Sequence, residues 1–161
     1  MTLYLSYNIN LKQEIPLFYN WSNNEIPILG VATDKKKLMF FQDEGIQLEQ
    51  EIKRESNISS MAWHPSKIVL FCGCEDGKLF IWKDYSSKVV DIENSPHESI
   101  VNNVIFNTLG NRVVSSDEKF NAVVWNYEFE KNELTKLCQY AQKFEIEALY
   151  FPSFNIEKFK E

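Results

Sequence analysis

ISSMAWHPSKIVLFCGCEDGKLFIW, from Ile58 to Trp82, lies over VNNVIFNTLGNRVVSSDEKFNAVVW, from Val101 to Trp125, without a single gap. Apolar residues coincide at ten positions, while only Glu75/Glu118 and Trp82/Trp125 are identical. A shared pattern with so little shared identity points to a common structural constraint on each unit. Outward from this pair the spacing persists. Trp21, Trp63, Phe106 and Tyr150 follow at steps of 42, 43 and 44 residues, and Phe40, Trp82 and Trp125 at 42 and 43.

Each unit reads as three short β-branched and aromatic runs, such as Ile58 to Trp63, Ile68 to Cys72 and Lys78 to Trp82, with HPS and CEDG turn chemistry between them. A fourth run follows each, at Gln47 to Ile52, Lys88 to Ile92 and Leu134 to Gln139. Four strands in roughly 43 residues make an antiparallel meander, and that period is the one of propeller blades. The predicted class is all-β, a partial β-propeller in an open arc. Blade 1 spans about residues 11–52, blade 2 about 58–92, blade 3 about 101–139, and a fourth begins at about 145–161. Closed propellers use roughly four to eight blades, so the sequence reads as the opening part of a longer protein. The run Leu3 to Ile9 precedes the first unit and reads either as a strand for a closing blade or as a frayed edge.

With Lys+Arg 17 against Asp+Glu 23, the net charge of -6 argues against nucleic acid or anionic membrane as partner. The basic run Lys35, Lys36 and Lys37 falls in a predicted turn. No stretch approaches the roughly 20 apolar residues of a membrane span, and the N-terminus lacks the pattern of a cleavable leader. Three cysteines are an odd number for a disulfide framework. Cys72 and Cys74 share one strand face and read as buried thiols, and no zinc-ligand spacing is present. A cytoplasmic chain with no cofactor and no metal is expected.

Catalytic signals are weak. The carboxylate pairs Glu75/Asp76, Asp43/Glu44 and Asp117/Glu118 fall in predicted turns, where acids are ordinarily solvated. His64 reads as a turn residue with a half-covered ring. The first-strand positions Ile58, Met61, Val101 and Val104, expected around the central channel, are apolar, whereas an enzyme would bring ionisable groups there.

His97, Val101, Val104, Phe106 and the terminal Trp125 resemble the WD-repeat pattern, in which a Gly-His pair precedes a strand and a Trp-Asp pair ends the third. Pro96 stands for the glycine, and Lys83 and Asn126 stand for the aspartate after Trp82 and Trp125. The resemblance implies a buried network from a turn aspartate through histidine and serine to the tryptophan. Asp76, Cys72 and Trp82 match three of its positions in one unit, with Arg54 in the place of histidine. His97, Ser115 and Trp125 match in the next, with Lys119 in the place of aspartate. On this reading neither network is complete.

Within that family, Leu3-Tyr4-Leu5, Ala62-Trp63-His64-Pro65-Ser66, Val69-Leu70-Phe71 with Gly73, Glu75 and Gly77, and Asn111 to Trp125 are similar to the propellers of intraflagellar transport complex A. The resemblance implies a non-catalytic scaffold, with other subunits of a transport complex as partners, at the cilium and its base on the cytoplasmic side. Retrograde transport and ciliary entry of membrane proteins are the implied processes. Another WD-repeat trafficking or coat scaffold is the alternative, and a propeller hydrolase or lyase a further one. Partner contacts are expected at rim loops, at Lys35, Lys36 and Lys37, at Asp84 and Tyr85, and at His97 and Glu98.

Overall fold

In a computed structural model, residues 8–141 are described. They form three four-stranded antiparallel sheets, each a simple meander in an open arc. The first holds β1 (Pro16–Trp21), β2 (Ile28–Thr33), β3 (Lys37–Gln42) and β4 (Gln47–Lys53), with a short 3-10 turn at Asp43–Gly45. The second holds β5 (Ile58–Trp63), β6 (Val69–Cys74), β7 (Leu79–Lys83) and β8 (Val89–Asp91). The third holds β9 (Val101–Phe106), β10 (Arg112–Asp117), β11 (Asn121–Glu128) and β12 (Glu133–Ala141). The fourth unit expected over 145–161, and Tyr150 with it, lies outside the described residues, as does most of the run from Leu3 to Ile9.

The middle strands β2 and β6 are buried along their whole length because each is covered on both faces. Side chains alternate between the two sides of a strand. Leu70, Cys72, Phe80 and Trp82 of the second sheet therefore meet Ile28, Ala32, Leu38 and Phe40 of the first. Val69, Phe71, Leu79 and Ile81, one residue out of phase, meet Val101, Val113, Val123 and Trp125 of the third. Each such side chain contributes roughly 1.5–3 kcal/mol on burial, and no sheet has both faces covered without a neighbour. On the far side of the first sheet, Leu29, Val31, Met39 and Phe41 are covered by Ile9 and Leu11.

The inner strands β1, β5 and β9 lie side by side and are stitched by side chains. Asn20 Nδ2 donates to the Met61 carbonyl at 3.3 Å, and Trp63 Nε1 donates to the Asn20 carbonyl at 3.0 Å. Ser59 and Ser60 hydroxyls both donate to the Val101 carbonyl, at 2.8 and 2.6 Å. Ile58, Met61, Val101 and Val104 are buried between the sheets. They do not line a channel as expected from the sequence, because a β-bulge near the start of β5 and of β9 brings residues three apart onto one face, toward the interblade cores.

Two glycines make close approach possible. A Cβ on Gly73 would stand 2.4 Å from Val101 Cγ1, so β9 crosses directly over the β6 backbone. Gly77 has φ +81, and a Cβ there would stand 2.4 Å from the His97 carbonyl oxygen. That neighbour is backbone and cannot swing aside. Gly77→Ala is therefore expected to destabilise the protein by more than about 1 kcal/mol, seen as a lowered urea midpoint with an unchanged slope.

Candidate functional site

In β2–β3 the last pair is Thr33 with Lys37, whereas Cys74 and Asp117 stand one residue beyond the last pairs of β6–β7 and β10–β11, Gly73 with Leu79 and Ser116 with Ala122. There the Cys74 N–H donates to the Lys78 carbonyl, and Asp117 accepts the Asn121 N–H. This register aligns Thr33, Cys74 and Asp117 as one column, and the preceding connections bring Glu14, Arg54 and His97 beside it. In the third sheet the column is a closed network. His97 Nδ1–H donates to Asp117 Oδ2 at 2.9 Å, Ser115 Oγ–H donates to His97 Nε2 at 2.7 Å, and Trp125 Nε1–H donates to Ser115 Oγ at 2.9 Å. These proton positions follow from requiring that every member has a partner. Asp117 also accepts the Asn121 backbone N–H at 3.1 Å and the Asn121 side-chain amide at 3.2 Å.

The side chains of His97 and Asp117 are fully buried. Burial holds the His97 imidazole below its ordinary value despite the pull of Asp117. Burial alone would raise the Asp117 carboxyl, but the donors from Asn121 and His97 outweigh it and hold it low. A neutral imidazole between a carboxylate and a hydroxyl satisfies all three groups.

This differs from the sequence reading in three respects. The aspartate position is Asp117 rather than Lys119, so the third-unit network is complete. Asp117 is not a solvated turn acid. His97 cannot meet a partner at the rim, since its side chain is enclosed. The aspartate, histidine and serine also have the connectivity of a hydrolytic triad. Ser115 is 0% exposed and its oxygen is capped by the Trp125 indole, so it has no approach for a substrate.

The second sheet fills the same column with different chemistry. Arg54 reaches Asp91 and lies 4.5 Å from the centre of the Phe80 ring. Cys74, beside Arg54, is pushed up to about 12 by burial, so it remains a thiol. Asp76 stays outside this cluster and instead caps its own turn, accepting the Lys78 N–H at 3.2 Å. Trp82 Nε1 donates to the Ser86 carbonyl at 2.6 Å rather than to Cys72. In the first sheet, Thr33 Oγ1 donates to Glu14 Oε2 at 2.7 Å, and Lys37 Nζ meets Glu14 Oε1 at 2.6 Å.

The terminal aromatics also sort differently. Phe41, paired with Leu29, occupies the register of Trp82 and Trp125, which pair with Leu70 and Val113. Phe40 faces the other way and stacks on Trp82, with ring centres 3.9 Å apart. Trp21, Trp63 and Phe106 do share one register. Trp21 is 38% exposed, Trp63 is buried, and Phe106 packs edge-on against His64 at 5.3 Å.

His64 is buried, not half covered, and burial lowers its imidazole as well. Its Nδ1 accepts the Ser66 N–H at 3.2 Å.

At the rim, Lys37 is bound to Glu14 and Glu51, and Lys35 meets Asp34 at 3.3 Å. The run from Lys35 to Lys37 is thus not a free basic patch. Glu98 pairs with Lys119 at 3.3 Å on the surface. Asp84 and Tyr85 form a two-residue turn, closed by Ser86 N–H to the Lys83 carbonyl at 3.0 Å. Among the described residues, no group of three or more His, Cys, Asp or Glu side chains is arranged to hold a metal ion, and no helix is long and apolar enough to cross a membrane.

The family model described as "IFT140 first beta-propeller" matches residues 2–153. A Diphthine methyltransferase homolog from Dictyostelium discoideum is 33% identical over 90 residues, which cover 49% of this chain and 24% of that protein. A chain in the "Crystal Structure of Mitotic Checkpoint Complex" superposes with a TM-score of 0.61 at 15% identity, over 73% of this chain and 35% of that one. At that identity the likeness is one of fold. The chain spans well under half the length of either relative.

Proposed function

The chain belongs to the IFT140 first β-propeller family, and from that premise we propose that it acts as a non-catalytic scaffold in intraflagellar transport complex A. The match over residues 2–153 carries this reading. On it, the propeller contributes protein contacts that hold the complex together, at the cilium and its base on the cytoplasmic side. Retrograde transport and ciliary entry of membrane proteins would depend on those contacts.

The chemistry of the molecule supports a structural role. Where WD repeats carry their histidine network, the third sheet has an enclosed set of groups suited to pinning strands, and the second has an arginine, two thiols and a carboxylate in its place. Buried, mutually satisfied groups stabilise a unique packing. Contacts with partners then fall to the exposed turns, of which the one at Asp84 and Tyr85 is the best formed candidate among those named from the sequence.

The test is affinity purification of the tagged full-length protein from ciliated cells, with imaging of its location. Enrichment at the ciliary base together with other complex A subunits is the expected result. Co-purification with vesicle-coat subunits and no ciliary enrichment would transfer the chain to the alternative class of trafficking scaffold.

A further inference from the structure

Most charged side chains around the sheets already satisfy one another. In the groove beside Arg54 and Ile92, Arg54 pairs with Asp91, and Lys78 with Glu55 and Asp76, so each acid there is balanced by a cation within reach. A second groove of about 580 Å³ on the opposite rim lacks this balance. It lies among the β1–β2, β5–β6 and β7–β8 turns. Ile26, Ile68 and Tyr85 give it apolar walls, and Glu25 and Asp84 are its acids.

Ile26 is 60% exposed, a large apolar side chain held in a turn that has no packing use for it. Glu25 has neither a side-chain hydrogen bond nor an ion pair among the described residues, and Asp84 has only Lys83 at 3.8 Å. That lysine is engaged elsewhere. Its Nζ lies 3.8 Å from the centre of the Phe129 ring and donates to the Phe129 carbonyl at 2.9 Å. Lys67, the lysine in the lining, is directed to the same ring at 5.2 Å. The cations at this rim are thus drawn toward the third sheet, and the acids are left facing the groove.

The turn itself is strained. Asp84 and Tyr85 have φ of 50 and 56, a left-handed pair for which Asn-Gly is the relaxed choice. The Tyr85 ring is fixed edge-on to Trp82 at 6.1 Å and so presents a rigid wall.

We propose that this groove binds an extended protein segment carrying an apolar side chain next to a lysine or arginine. The apolar group would lie against Ile26 and Tyr85, and the cation between Glu25 and Asp84. This rests on the scaffold reading only in taking a protein as the partner.

The test uses the full-length protein and two fluorescein-labelled hexapeptides, Gly-Leu-Lys-Leu-Arg-Gly and its counterpart with glutamate at both basic positions, titrated by anisotropy. The basic peptide is expected to bind about tenfold more tightly than the acidic one, with Glu25→Gln and Asp84→Asn each weakening it about two- to fivefold. Asparagine tolerates the left-handed backbone, so the second change keeps the turn. Ile26→Ser, at an exposed position, should weaken both peptides, and Glu98→Gln on the other rim neither. Equal binding of the two peptides, no binding up to about 1 mM, or an unchanged affinity in the Glu25→Gln, Asp84→Asn double variant would overturn the proposal. Any of these with intact complex A co-purification would leave the scaffold reading standing, whereas loss of co-purification in the native protein would not touch the peptide result.

Discussion

Replacing His97 by alanine is expected to destabilise the protein by about 3–5 kcal/mol, because it removes a donor from a buried carboxylate, strands a buried hydroxyl and leaves a cavity in place of the ring. Asp117 keeps its Asn121 donors, which places the effect nearer the lower figure. Ser115 loses its acceptor in the same change. Since a domain has roughly 5–15 kcal/mol in all, this one substitution removes a large share. Adding Asp117→Asn to His97→Ala neutralises the stranded charge and should recover part of the loss. Denaturant unfolding of the two single variants and the double variant measures that coupling, and additive losses would show that the pair does not act as a unit.

The same network sets a pH dependence. His97 and His64 are both held neutral by burial, below the ordinary 6.5. A depressed folded-state value means that the unfolded chain binds the proton first. The stabilisation is fully present above 6.5 and is lost as pH falls from there toward the folded values. Asp117, held below 3.8, adds a second loss at more acidic pH as its carboxylate is protonated. The melting temperature should therefore fall between pH 7.5 and 5, about, with a shallower slope in His97→Gln. An unchanged melting temperature over that range would contradict burial of the neutral rings.

Trp82→Ala is the second large effect, about 3–5 kcal/mol. The indole is 0% exposed, stacked on Phe40 at 3.9 Å and edge-on to Trp63 at 6.0 Å. Phe40 belongs to the first sheet and Trp82 to the second, so the cavity opens at the seam between two repeats. Repeat stability is carried by nearest-neighbour interfaces. Hydrogen exchange should then accelerate in β1 to β4 far more than in β9 to β12. Trp82→Phe keeps most of the packing and leaves only the Ser86 carbonyl to find water, so its cost should be near 1 kcal/mol. Uniform acceleration across all three sheets would mean that the seam is not a separable interface.

Much of the architecture is legible in the sequence. Period-2 runs with turn residues between them mark strands because side chains alternate and turns need special backbone angles. The site was less legible. An ungapped overlay makes Lys119 the counterpart of Asp76, yet Asp76 itself lies outside its column. Reading Cys74 as the column member would have pointed to Asp117 directly. No signal in the sequence distinguished Phe40 from Phe41, since both are phenylalanine.

The sequence by itself determined the repeat, its four runs and the all-β class, because these depend on local periodicity and turn chemistry. Which residues meet was decided only by the tertiary structure. The separation is 41 residues from Thr33 to Cys74 but 43 from Cys74 to Asp117, so a fixed step drifts out of register at the first sheet. In a strand, a slip of one residue moves a side chain to the opposite face. That is why Phe40 stacks toward the second sheet while Phe41 takes the tryptophan's register. Asp117 is the buried centre of the third-sheet network because its column counterpart is Cys74, with Asp76 occupied in its own turn.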